Sequence, residues 1–152
     1  MDAEQRSPGG APLTASAVMR FLAELEQASA EWYRALAAAF PEKSALLQRC
    51  ASLCARNGVQ VQRTYQETIT DALETNFAFE GLDLRPYGEL PGAVPGTLGE
   101  AQRAAVALEE RAAACYEDVA GRSARLLATI PRVLQRAAEA RRRNASSLAL
   151  LQ

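Results

Sequence analysis

At 152 residues the chain is one domain's worth and long enough to bury a core. A net charge of −1 sets up no strong field towards nucleic acid or an anionic membrane. The sequence contains no histidine, which removes Ser–His–Asp triads, Cys–His dyads and imidazole metal ligands from the chemistry this chain can supply.

Ala, Leu, Arg and Glu dominate, a helix-forming composition. Lys43 is the single lysine among 17 basic residues, and the arginines are spread along the chain. Cys50, Cys54 and Cys115 are too few to make a disulfide framework. Residues 1–12 hold no apolar core of a signal peptide, and no apolar run approaches the roughly 20 residues of a membrane span. A cytoplasmic protein is expected.

Residues 1–13 contain Ser7-Pro8-Gly9-Gly10, lack periodicity and are expected to form a flexible tail, with one domain over 14–152. Thr14 or Ser16 can cap a first helix that stops before Pro41. Val18, Phe21, Leu22, Leu25, Trp32, Leu36 and Phe40 give it one apolar stripe. A second helix starts near 41–44, with Pro41 and Glu42 suited to its first turn, and runs to about Phe77. Asn57-Gly58 is its weak point, costing about 1 kcal/mol of propensity and inviting a kink. Residues 78–99 carry three prolines and five glycines and form the one real break. Helix three is expected from about Leu98 to Leu127. Helix four starts with Pro131 in its first turn and runs to the end of the chain. The result is an all-α, antiparallel four-helix bundle: two hairpins flanking one long crossover between helices two and three.

The two halves look alike. Residues 26–33, Glu-Gln-Ala-Ser-Ala-Glu-Trp-Tyr, lie over 109–116, Glu-Glu-Arg-Ala-Ala-Ala-Cys-Tyr. In each block a glutamate (Glu26, Glu109) precedes a tyrosine (Tyr33, Tyr116) by seven residues, so the two share a helix face to within about 20°. The second helices share Ala55-Arg56 and Ala140-Arg141, and the whole suggests an internal pseudo-two-fold.

These glutamate–tyrosine pairs, with Phe40-Pro41-Glu42 opening helix two and Gly58 beyond it, make residues 16–150 resemble the ferritin-like superfamily of rubrerythrin type. The resemblance implies a bundle with a di-iron site: a glutamate on helices one and three, and Glu-x-x-His on helices two and four. Here those last motifs read Arg56-Asn57-Gly58-Val59 and Arg141-Arg142-Arg143-Asn144. Arginine stands at both glutamate positions, and Val59 and Asn144 stand at the histidine positions. Arginine stays protonated and cannot bind metal. The expected replacement is a buried, charge-balanced quartet of Glu26, Arg56, Glu109 and Arg141, with no metal and no cofactor. The competing arrangement turns one or both arginines outward.

Cys50 and Cys54 share a face turned away from that quartet and are expected to be packing residues. Tyr33, Tyr116 and Trp32 are expected to be core aromatics, and glutamates paired with arginine would be poor bases at neutral pH. The leading expectation is therefore a degenerate ferritin-like bundle without catalytic residues. It would serve a structural or protein-interaction role, as a homodimer or with a protein partner, and touch neither nucleic acid nor membrane. The alternatives are a di-metal oxidoreductase or iron- or peroxide-handling protein built on Glu26 and Glu109, and a bundle whose arginines grip a small carboxylate ligand.

Overall fold

The computed structural model describes residues 13–68, 78–79, 81–123 and 129–151. The expected tail over 1–12 and the end of helix two near Phe77 lie outside them, whereas helix three, expected to reach about Leu127, ends at Gly121 with Arg122 as its cap. Among the described residues four long helices carry the fold: α1 (Ala15–Ala39), α2 (Ser44–Thr68), α3 (Leu98–Gly121) and α4 (Thr129–Ala149). Among the described residues no helix is long and apolar enough to cross a membrane.

Local chemistry sets the helix ends. Thr14 Oγ1 accepts a hydrogen bond from the Ala17 amide at 3.1 Å, and Thr97 Oγ1 accepts one from the Glu100 amide at 3.2 Å. Each satisfies an amide that has no partner within its helix. α1 closes when the Phe40 amide donates to Leu36 O, and Pro41 then opens a single 3₁₀ turn, Pro41–Lys43, that leads into α2. Pro131 sits third in α4, where its missing N–H costs nothing. Gln102 Nε2 closes α4 by donating to the carbonyls of Leu148, Ala149 and Leu151 at 2.9, 3.1 and 2.9 Å.

Two further features differ from the sequence expectation. Leu13, assigned to the tail, pairs with Phe79 in a two-residue antiparallel ladder of β1 (Leu13–Thr14) and β2 (Ala78–Phe79). α2 runs through Asn57-Gly58 as one helix. The glycine is there because α2 passes close to α1: a Cβ on Gly58 would stand 3.2 Å from the Cβ of Glu26.

α1 packs along α2, α3 along α4, and α2 against α4. The long connection follows α3 and does not hang free. Tyr87 Oη donates to Asp118 at 3.0 Å, and Arg111 Nη2 donates to Glu89 O at 3.0 Å. Phe79 and Leu82 are buried in the core.

Two apolar clusters fill the interior. One gathers Val18, Met19 and Leu22 with Phe79, Val119, Ile130 and Leu134. The other gathers Leu25, Trp32 and Leu36 with Leu47, Cys50, Leu108 and Leu148. Along α1 the boundary falls between Leu22 and Leu25; along α3 it falls near Ala112–Ala113.

The contact at Gly58 yields a direct test. Replacing a mid-helix glycine by alanine ordinarily gains about 1 kcal/mol. Glu26 is anchored at its carboxylate and cannot retreat, so Gly58→Ala should gain none of this, and its denaturation midpoint should fall at or below that of the parent. A full propensity gain would show that Glu26 yields freely.

Candidate functional site

Polar side chains cluster at the seam between the two apolar clusters. Glu26 comes from α1, Glu109 from α3 and Arg141 from α4; their exposures are 2%, 0% and 0%. All three lie on the inward stripes of their helices, so the helical period alone drives them into the core. Arg141 lies between the two carboxylates. Its Nη1 donates to Glu109 Oε1 at 2.8 Å and its Nη2 is 2.9 Å from Glu26 Oε1. Nη2 also donates to Ser29 Oγ at 2.8 Å, and Ser29 passes a hydrogen bond to Leu25 O at 2.7 Å.

Each tyrosine crosses to the glutamate of the other half. Tyr33 Oη donates to Glu109 Oε2, and Tyr116 Oη donates to Glu26 Oε2 at 2.5 Å. The two hydrogen bonds are reciprocal, each running from the tyrosine of one half to the glutamate of the other. Burial and the facing carboxylate push both phenols well above their usual range, so both remain donors at any physiological pH. Burial opposes the Arg141 charge, but Glu26 and Glu109 more than offset it and hold the guanidinium protonated. A buried charge of this kind is tolerated because its partners are aimed at it, and removing one partner ordinarily costs 3–5 kcal/mol (roughly).

One of the four residues of the expected quartet is absent. Arg56 is exposed, and Val59 is 54% exposed on the outer side of α2. The residue that α2 sends inward is Asn57, 6% exposed, whose Nδ2 lies 3.4 Å from both Glu26 Oε2 and Ala137 O. The shared Ala-Arg pair had set the wrong register. Pairing Leu47 with Leu134 instead brings Ala51 onto Ala138, Cys54 onto Arg141, Asn57 onto Asn144 and Val61 onto Leu148, and every one of these residues is buried. The two registers differ by two residues, which turns the helix by about 200°.

The correct register was readable from Asn57's place on the stripe Leu47–Cys50–Cys54–Val61, where it recurs at spacings of three and four. Ser29 carried the same signal, lying three residues beyond Glu26 and four before Tyr33. Asn144 is buried as expected, 7% exposed, although its Nδ2 has no hydrogen-bond partner among the described residues.

The same register moves the cysteines. Cys54 faces the cluster and feels the charge of Arg141, whereas the sequence reading had turned it away. Burial pushes Cys50 and Cys115 up to about 12 and raises Cys54 as well. All three are free thiols and stay protonated at neutral pH, which makes them weak nucleophiles and weak metal ligands.

The residues present do not fit a pair of metals. About six ligands would be needed, four of them carboxylates. Here two carboxylates already hold a guanidinium between them, and the described residues bring no three His, Cys, Asp or Glu side chains together in a form that could hold an ion. Nor does Arg141 have a face open to a carboxylate ligand, since it is fully buried and engaged.

On the outer side of Glu26, which lines it, α1 and α2 border a groove of about 540 Å³. Ala23, Ala30, Ala55, Gly58 and Val59 make its apolar wall, with Arg34 and Arg63 among its polar lining. No protein-family model, no curated protein and no solved structure matches this chain.

Substitution separates the two arginines. Arg141→Ala should cost about 3–5 kcal/mol, because it strands carboxylates in the core. Arg56→Ala should stay within about 0.5 kcal/mol of the parent, like other exposed positions. Equal losses in a urea titration would contradict the burial of Arg141.

Proposed function

We propose that this chain is a ferritin-like, antiparallel four-helix bundle in which a buried Glu–Arg–Glu cluster stands where the di-iron site of that superfamily would be. In this reading it works as a metal-free scaffold that binds another protein or a second copy of itself. The observation that carries the reading is Arg141, a fixed cation on α4 within 3 Å of both core carboxylates. A divalent ion beside it would meet a repulsion of roughly 8 kcal/mol at 4 Å and an effective dielectric of 20, twice the value for unit charges. The crossed Tyr33–Glu109 and Tyr116–Glu26 hydrogen bonds support the ferritin-like part, since they express a two-fold between the halves.

Catalysis finds little support in this cluster. Both glutamates are closed off from solvent, each holds a tyrosine, and the thiols are protonated. An interaction role is supported by the groove between α1 and α2, where Val59 leaves an apolar side chain half in solvent beside small residues that let a partner approach closely.

Elemental analysis of protein expressed in iron- and manganese-supplemented medium tests the reading. Substoichiometric metal, unchanged by Glu26→Ala, is the expected result. About two metals per chain, lost on Glu26→Ala, would establish the di-metal alternative in its place.

A further inference from the structure

The charges in the core do not cancel. Glu26 and Glu109 bring two carboxylates, and Arg141 brings one guanidinium. Arg56, which would have completed the balance, is in solvent. A cluster shut away from water and left one negative charge in excess is costly, and buried groups in that position neutralise by taking up a proton.

The hydrogen bonds say which carboxylate takes it. Both oxygens of Glu109 accept from a donor aimed at them, Oε1 from Arg141 Nη1 and Oε2 from Tyr33. At Glu26 the donors crowd onto Oε2: Tyr116 at 2.5 Å, with Asn57 Nδ2 and Arg141 Nε each at 3.4 Å. Among the described residues Glu26 Oε1 accepts no hydrogen bond. Arg141 Nη2 lies 2.9 Å away as an ion-pair contact, but of its two N–H groups one goes to Ser29 Oγ and neither is aimed at Oε1. Oε1 is thus the oxygen with room for a proton of its own.

We infer that the bundle takes up one proton per chain as it folds, held on Glu26, so that the core cluster is a neutral carboxylic acid beside a Glu109–Arg141 ion pair, and that this proton makes the fold sensitive to rising pH. Burial, partly offset by Arg141 and by the Tyr116 hydrogen bond, pushes the Glu26 carboxyl above its usual range, in the same direction. The folded chain therefore binds the proton more tightly than the unfolded one. The stability it contributes is full below the ordinary carboxylate value of 4.5 and is lost as pH rises through the raised folded value.

Other groups titrate elsewhere. Facing the cluster are Tyr33 on α1, Cys50 and Cys54 on α2, and Cys115 and Tyr116 on α3; all are raised, so they act only above the ordinary thiol value of 9.0. At the surface Asp83, lowered to about 2 by its hydrogen bond from Arg85, and Glu117, lowered by Arg142, have the opposite sign and act at acid pH. The window between 4.5 and 9.0 belongs to Glu26 among these shifted groups.

The inference rests on the metal-free reading, so metal content is measured on the same sample. The thermal midpoint of the full chain is followed across that window for the parent and for Glu26→Gln. An infrared spectrum of the parent, recorded from pH 4.5 upward, looks for a protonated-carboxyl band that disappears as pH rises. The parent's folding constant should fall about tenfold per pH unit once pH passes the raised Glu26 value. Glu26→Gln should be flat across the window and lack the infrared band. In a metal-free sample, a flat parent profile, or a parent spectrum without the band, overturns the proton and leaves the scaffold reading standing. Stoichiometric metal overturns both.

Discussion

A guanidinium held between two carboxylates, out of reach of water, governs what the rest of this molecule can be. Arg141 ties α4 to α1 through Glu26 and Ser29, and to α3 through Glu109. Tyr33 and Tyr116 then tie α1 and α3 to each other across the core. Such a cluster adds little net stability when compared with apolar residues of the same volume, because desolvation consumes most of the Coulombic gain. A helix that slid or turned by one position would leave a charge or a phenol stranded in the core, at a cost of several kcal/mol (roughly).

That constraint explains the layout around it. The apolar core is split in two, with Leu22, Met19 and Leu134 on one side and Leu25, Leu36, Leu108 and Leu148 on the other. The cluster occupies the seam, so the two apolar halves meet across polar contacts. Gly58 belongs to the same constraint, since α2 must pass beside Glu26 at a distance that barely admits a methyl group. The buried arginine also fills the space between the two carboxylates and holds both of them.

Much of this was legible in the sequence. Thr14, Phe40-Pro41 and Pro131 marked helix ends that the structure keeps to within a residue or two, because capping and proline sterics are local. Glu26, Glu109, Tyr33 and Tyr116 were legible as a repeated pair seven residues apart. Arg141 and Asn144 were found through the likeness of α4 to a ligand-bearing helix. α2 was misread because Ala55-Arg56 copies Ala140-Arg141 in identity but not in register. Burial follows the stripe, and the stripe runs through Asn57. A short identity in an Ala- and Arg-rich helix carries less information than a spacing of three and four sustained over several turns. The pairing of Leu13 with Phe79 was out of reach, since two residues give no period to read.

The central claim is that Arg141 and the core carboxylates form one energetic unit. A double-mutant cycle tests it most directly, comparing the unfolding free energies of Arg141→Met, Glu109→Gln and the double variant with that of the parent. If the geometry described here holds, the double variant is more stable than the sum of the single losses predicts, by at least about 1.5 kcal/mol, because a charge is never left alone. Losses that add to within about 0.5 kcal/mol would mean that the two side chains do not meet, and that the bundle is held together without them.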